Sequence, residues 1–210
     1  MTDRSINKYR SMSPKSEEQF EEIRQSKTKL IKATALELFA LNGYENTSIS
    51  KIAKEAAISK GLLYNYFDSK EELLKEIIFE QMDMMLKLFD PNKDGVLETD
   101  ELKYFIHESF SMVKKNPEFW RLYFMLLFQP NVMKLIEKRV MEIAEPILAN
   151  TTDYFKRQGY EKPEVWTRYI GALLDGVSMN YIADPVNFPI DDIENIVINQ
   201  FCNTSKNTEQ

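Results

Sequence analysis

The chain has 210 residues, a formal net charge of −6 and hydrophobic residues at 43% of its positions. A hydrophobic fraction of this size supports a folded core and argues against a disordered chain. The single cysteine, Cys202, excludes an internal disulfide, and the single histidine, His107, argues against a histidine-rich metal centre. Because no apolar run approaches about 20 residues and Met1–Ser13 has no apolar leader, the sequence predicts a cytoplasmic protein without membrane contact.

Charge is distributed unevenly along the chain. Residues 1–70 contain 12 Lys or Arg and 9 Asp or Glu, a net charge of +3. Residues 71–210 contain 15 and 24, a net charge of −9. A mildly basic N-terminal third on an acidic remainder is compatible with nucleic-acid binding by the N-terminal part alone.

Apolar residues recur at helical spacing in nearly every segment, and no stretch alternates as a strand does, so the predicted fold class is all-α. Residues 1–15 predict a flexible arm, and Ser16 is expected to cap a first helix that ends at Gly43. Short helices follow at Ser50–Ala56 and Lys60–Phe67, and a longer one begins after Ser69 and ends near Phe89.

The second half of the chain continues this helical pattern after a break at Asp90–Glu98. Further helices are predicted at Thr99–Lys114, Pro117–Phe128, Asn131–Gln158, Pro163–Ala183 and Ile190–Cys202. Pro146 is expected to kink or split the longest of them. The predicted organisation is an arm at 1–15, a DNA-binding domain at 16–68, a ligand-binding and dimerisation domain at 69–203 and a frayed tail at 204–210.

Residues 47–70 have the pattern of a helix-turn-helix, two short helices joined by a turn at Ala57–Ser59. The apolar residues of the two helices can form one small core with those of the first helix. The outer face of the second short helix retains ammonium, hydroxyl and amide groups, on Lys60, Tyr64, Asn65 and Tyr66. Such groups can read the donors and acceptors of base edges in the major groove of DNA.

The segment Leu30–Leu74 resembles the N-terminal domain of TetR-family repressors. Three stretches carry the resemblance: Ala35-x-x-Leu38-Phe39-x-x-x-Gly43-Tyr44, Thr47-Ser48-Ile49-x-x-Ile52-Ala53, and Ser59-Lys60-Gly61-x-Leu63-Tyr64-x-Tyr66-Phe67-x-Ser69-Lys70-Glu71-x-Leu73. One departure is Ala57, where the family often has glycine in the turn.

The resemblance implies a set of DNA-binding residues. They lie at the start of the second helix, on the outer face of the third and at the start of the fourth, and they are Ser48, Ser50, Lys51, Lys60, Gly61, Leu62, Tyr64, Asn65, Tyr66 and Lys70. Alternatively, Tyr64 or Tyr66 packs within the small domain, and Lys51 and Lys54 form a solvated face.

For the rest of the chain the resemblance implies a homodimer formed through the last two helices, and a repressor released from a palindromic operator by a small molecule. Gly171 and Gly176 would let helices approach closely.

Candidate residues for an apolar or aromatic effector are Trp120, Tyr123, Phe124, Leu127, Phe128, Trp166, Tyr169, Leu173 and Met179. The alternative is that these residues are ordinary core. No catalytic motif or phosphate loop is present, so no enzyme and no required cofactor are expected.

Residues 90–101, DPNKDGVLETDE, match the calcium loop of an EF-hand. The expected ligands are the side chains of Asp90, Asn92, Asp94 and Glu101, the carbonyl of Val96, and Glu98 through a water. The loop could therefore hold a calcium ion, and a calcium-binding sensor is the alternative function. The competing interpretation is a polar turn in which Gly95 supplies a positive φ and Thr99 caps the next helix.

Overall fold

The computed structural model describes residues 17–203, which form α-helices and no β-strand within that range. The predicted arm, its Ser16 cap and the predicted tail at 204–210 lie outside the described residues. The helices are α1 (Glu17–Asn42), α2 (Ile49–Glu55), α3 (Lys60–Tyr64), α4 (Lys70–Phe89), α5 (Thr99–Lys115), α6 (Pro117–Leu127), α7 (Pro130–Arg157), α8 (Pro163–Ala183) and α9 (Ile190–Cys202). The all-α prediction is confirmed.

Capping side chains set the boundaries of the N-terminal helices. The Oγ atoms of Ser48, Ser59 and Ser69 accept hydrogen bonds from backbone amides in the first turns of α2, α3 and α4, at 3.2, 3.0 and 3.0 Å. Each bond satisfies one amide that has no partner within the helix. Gly43 follows α1 with a φ of +84°, the left-handed conformation that ends many helices.

Two helices differ from the sequence prediction. α3 ends at Tyr64 rather than Phe67, because the amides of Asn65 and Tyr66 bond to carbonyls three residues back and tighten the turn. α7 continues through Pro146 as a single helix, so of the expected kink or split, the split does not occur. A proline removes one amide donor, and the bonds of the flanking turns suffice to keep this helix continuous.

The buried residues form two hydrophobic clusters. We call α1–α3 the head and α4–α9 the body. The first cluster contains head residues such as Phe39 and Leu63 together with Trp120, Leu126 and Ile136 of the body. Head and body therefore share one core.

The second cluster lies in the far part of the body, among α5, α7, α8 and α9, and includes Phe110, Tyr154 and Phe201. Phe89 and Leu97, at the two ends of the α4–α5 loop, are both buried in it. This burial anchors the loop on the body.

Among residues 17–203, every helix is too short or too polar to span a bilayer.

Gln129 forms a polar connection between head and body at the start of α7. Its Oε1 accepts from the Tyr44 amide at 2.9 Å, and its Nε2 donates to the Phe39 carbonyl at 2.8 Å. Both partners lie at the C-terminal end of α1, so the amide group of one body residue holds two backbone groups of the head.

Replacing Gln129 with Ala should destabilise the protein by about 1–3 kcal/mol, because it leaves the Tyr44 amide and the Phe39 carbonyl without a partner. Urea unfolding monitored by circular dichroism measures this change. Gln158→Ala is the matched control at the other end of α7, where the side chain makes no hydrogen bond to the described residues. The control should change stability by less than about 0.5 kcal/mol. Equal effects in both variants would contradict the role of Gln129.

Ala57→Gly should stabilise the protein by about 0.5–1 kcal/mol. Ala57 has a φ of +52°, a conformation that costs a residue with a Cβ about 1–2 kcal/mol, and the extra chain entropy of glycine offsets about half of that. Ala33→Gly, on the exposed side of α1, should instead destabilise by about 1 kcal/mol. The same urea series measures both variants, and destabilisation by Ala57→Gly would contradict the strain argument.

Candidate nucleic-acid interface

α2, the turn and α3 are held together by a small buried core. Ile52, Ala53, Leu63 and Phe67 are each no more than 3% exposed. The amide of Ile58 donates to the carbonyl of Ala53 at 2.9 Å, which closes the turn between the helices. With Leu63 facing inward, the opposite side of α3 is left open to solvent.

The open side of α3 presents Lys60, Gly61, Tyr64 and Asn65, all exposed. The Lys60 ammonium lies 5.9 Å from the centre of the Tyr64 ring, as expected for residues four apart on a helix. A Cβ at Gly61 would meet no atom within 4 Å, so the surface beside it is flat and accessible. The helix thus offers an ammonium, a hydroxyl and an amide to one ligand.

Two predicted contact residues lie deeper: Leu62 of α3 and Tyr66, which follows α3. Leu62 is half-buried, and Tyr66 is half-buried against the first core cluster. Tyr66 therefore serves packing at least in part, as the alternative interpretation holds. Tyr64, at 44% exposure, points away from the core.

The start of α2 lies on the surface as well. Ser48 and Ser50 are exposed, and Ser48 also caps the helix. Lys51 is half-buried and Lys54 exposed, and within the described part of the chain neither lysine forms an ion pair. These ammonium groups are available to an anionic ligand.

Lys70, the first residue of α4, contacts the head rather than extending into solvent. Its Nζ donates to the Tyr44 carbonyl at 2.9 Å and lies 4.2 Å from the centre of the Tyr44 ring. Burial raises the pKa of the Tyr44 phenol, and the nearby carboxylates of Glu71 and Glu45 raise it further. Lys70 therefore fastens the start of α4 to the turn after α1.

The charge of the described head is balanced: residues 17–70 contain eight basic and eight acidic side chains. The positive excess of the first 70 residues lies in residues 1–16, outside the described range. Between Ile49 and Tyr66, however, there are three lysines and one glutamate. The surface formed by α2 and α3 is thus locally basic within a neutral head.

The predicted effector-pocket residues are divided between the two hydrophobic clusters and the surface. Trp120 and Tyr123 are buried in the first cluster, and Phe124 and Leu127 pack against it. Trp166 and Leu173 pack against the second cluster instead. The remaining three are largely exposed: Phe128 at 66%, Tyr169 at 44% and Met179 at 37%.

Two clefts lie elsewhere on the surface. One of about 610 Å³ runs between α1 and α4 and is lined mainly by charged residues, including Lys32, Glu76 and Asp83. The other, of about 510 Å³, lies between the α4–α5 loop and α7 and includes Val96 and Asp153. Neither contains any of the nine predicted pocket residues.

Sequence reasoning did not identify Gln129 or the contact between Lys70 and Tyr44. Gln129 is a single polar residue between an apolar helix and a proline, a pattern typical of an ordinary helix start. Its partners lie 85 and 90 residues away in sequence, so no local signal reveals them.

Residues 90–98 connect α4 to α5, where the sequence predicts a break between helices. Asp90 Oδ2 accepts from the Gly95 amide at 3.2 Å, and Asp94 Oδ1 accepts from the Val96 amide at 2.8 Å. Lys93 and Gly95 have positive φ values of 61° and 75°. The residue that caps α5 is Glu98, so the predicted cap at Thr99 is wrong.

Comparison with known proteins agrees with this geometry. The family described as bacterial regulatory proteins, tetR family, matches residues 31–77, which span α2, α3 and parts of α1 and α4. The regulator YuxN of Bacillus subtilis (strain 168), an HTH-type transcriptional regulator that is itself uncharacterised, is 58% identical over 52 residues. That match covers 25% of this chain and only 18% of YuxN.

Longer matches extend into the body. The HTH-type transcriptional regulator UidR of Escherichia coli (strain K12) is 28% identical over 171 residues, or 78% of this chain and 83% of UidR. The crystal structure of the regulator FadR from Bacillus subtilis, in complex with stearoyl-CoA, superposes with a TM-score of 0.64 at 19% identity. It covers 84% of this chain and 98% of that one, so the helical body shares its fold.

None of these three relatives is described as a calcium sensor. The helix-turn-helix geometry, the match at residues 31–77 and the similarity to UidR all lead to the same conclusion. Residues 31–77 therefore form a DNA-binding domain of the tetR family type, and the chain is similar to a transcriptional regulator over most of its length.

Proposed function

We propose that the protein acts as a homodimeric repressor that binds a pseudo-palindromic DNA operator through α3 and is released by a small molecule bound in the body. The observation that carries this proposal is the outer face of α3. Lys60, Tyr64 and Asn65 are exposed there on a helix whose inner side is fixed by buried Leu63.

These three side chains suit the major groove. The Asn65 amide can both donate and accept, the Tyr64 hydroxyl can do the same, and the Lys60 ammonium can bind a guanine edge or a phosphate. The open surface at Gly61 lets the DNA approach the helix closely. Because α3 is short, we expect it to contact only a few base pairs in each half-site.

A gel-shift series on full-length protein tests this interface, with DNA selected by the parent protein from a randomised library. Tyr64→Ala should lower affinity about tenfold, because it removes a contact with the bases. Lys60→Ala should also weaken binding and should lower the slope of log affinity against log salt by about 1 if Lys60 contacts a phosphate.

The matched control is Lys138→Ala, which removes the same charge from a lysine of α7 whose side chain is 94% exposed. It should bind like the parent. Normal binding by both α3 variants, or equal loss in the control, would remove α3 as the reading helix. Adding stearoyl-CoA, the ligand of the FadR structure, to the parent complex provides a first effector probe.

We propose that a second copy of the chain covers the outer surface of α8 and α9. Val165, Tyr169, Met179 and Ile196 are large apolar side chains there, between 37% and 62% exposed. A Cβ at Gly171 or Gly176 would meet nothing within 4 Å, so α8 has room for a closely packed partner. An exposed apolar surface of this kind is typical of a protein interface.

Ile196→Asp should therefore yield monomers in analytical ultracentrifugation, because a two-fold axis would bring two buried carboxylates into one interface. DNA affinity should fall with it, since one head contacts only one half-site. Met141→Asp, on α7, makes the same kind of change at a side chain of 63% exposure and should remain dimeric. Dimers of Ile196→Asp would refute this surface.

We propose that an apolar or aromatic effector contacts the aromatic rings of α6. Rings follow one another along this helix from Phe119 through Trp120, Tyr123 and Phe124 to Phe128, with centroid distances of 5.4 to 6.4 Å between neighbours. The Tyr123 hydroxyl donates to the Ile78 carbonyl of α4 at 3.1 Å. A ligand that separates these rings would therefore move α6 relative to α4 and the head.

A further inference from the structure

The α4–α5 connection has the frame of a calcium-binding helix–loop–helix. α4 ends at Phe89 and α5 begins at Thr99, so the twelve residues 90–101 comprise the loop and the first turn of the next helix. Oxygen-bearing side chains occupy loop positions 1, 3, 5, 9 and 12, and glycine occupies position 6. In a loaded calcium loop, residues at these positions supply the hard oxygen donors that surround the ion.

One buried atom in this loop independently points to a ligand. Asp90 Oδ1 exposes less than 1 Å² and has no hydrogen-bond partner. Across residues 17–203 no other buried side-chain oxygen or nitrogen is left in this state. A buried carboxylate oxygen without a partner is costly, and such an atom usually marks the place of an ion or a water.

The position of this atom within the loop is specific. The other oxygen of the same carboxylate, Oδ2, accepts from the Gly95 amide across the loop at 3.2 Å. Asp90 is the first ligand position of the pattern, so the unpartnered oxygen belongs to the residue expected to make the first calcium bond.

Three contacts must change before the loop can surround an ion. Asn92 Nδ2 donates to Asp94 Oδ2 at 3.0 Å, which occupies one proposed ligand oxygen. Glu101 Oε2 accepts from the Glu98 amide at 3.0 Å, so the twelfth-position carboxylate has to turn toward Asp90 to coordinate. The Arg157 guanidinium pairs with Glu98 at 2.9 Å and draws that carboxylate toward α7. Within residues 17–203, no three acidic, histidine or cysteine side chains form a ready-made metal cluster.

The pattern does not depend on acidic side chains alone, because Asn92, the Val96 carbonyl and a water complete the expected set. We propose that Asp90–Glu101 binds one calcium ion per chain, with Asp90, Asn92, Asp94 and Glu101 as side-chain ligands. A seven-coordinate set with a bidentate glutamate favours calcium over magnesium, which requires a small octahedron. This site is separate from the proposed DNA-binding surface.

The test is calorimetric titration of the chelator-stripped full-length protein with calcium chloride, with the thermal midpoint of each variant as a second readout. Glu101→Gln removes one charged ligand, and Asp94→Asn removes another while keeping the oxygen that accepts from Val96. Asp100→Asn is the matched control, because it removes one exposed charge from the same loop at a non-ligand position. Far-UV circular dichroism confirms that each variant is folded.

The parent and Asp100→Asn should bind one calcium ion per chain and melt at a higher temperature with calcium. Glu101→Gln and Asp94→Asn should bind at least about tenfold more weakly, as loss of a charged ligand implies. The absence of both binding heat and a melting shift up to millimolar calcium would overturn the proposal. Equal weakening in Asp100→Asn would also overturn it, because attraction by net charge would then explain the binding.

Discussion

The packing of α1 against α6 is the interaction on which the rest of the structure depends. Ile31, Phe39 and Leu36 of the head lie in one buried cluster with Trp120 and Leu126 of the body. Each such side chain contributes about 1.5–3 kcal/mol when it leaves water. The head therefore cannot swing on a linker, and the orientation of α3 is determined by the body beneath it.

Polar contacts at the same junction specify its geometry. Gln129 holds the end of α1, Lys70 holds Tyr44 to the start of α4, and Tyr123 bonds to the Ile78 carbonyl of that helix. Each bond adds modest net stability but requires its partners to lie in one arrangement. A displacement of α6 must strain or break some of them, which provides a physical route from the body to α3.

The parts of the fold that local chemistry determines were predictable from sequence. Serine caps at Ser48, Ser59 and Ser69 begin helices where the pattern places them, and Gly43 ends α1 with a positive φ. The exposed face of α3 was predictable in the same way. Leu63 and Phe67 are buried four residues apart, which leaves Lys60 and Tyr64 on the solvent-exposed side. Short-range rules of this kind need no knowledge of the tertiary structure.

Contacts between distant segments could not be predicted in this way. The sequence groups Trp120 and Trp166 as aromatic candidates for one pocket, whereas packing assigns them to different clusters. The ammonium group of Lys70 is suited to bind a phosphate, but in the structure it contacts the ring and carbonyl of Tyr44. Pro146 satisfies the rule for a helix break, yet α7 continues through it. In each case tertiary packing selects one of several contacts or conformations that the local sequence allows equally well.

The central claim is that two copies of α3 read DNA from one symmetric dimer. Hydroxyl-radical footprinting of the full-length protein on its selected DNA tests this claim most directly. The account predicts two protected segments related by a two-fold axis on one face of the duplex, with centres separated by about 10 base pairs or a multiple of that. A single protected segment, or protection without two-fold symmetry, would contradict it.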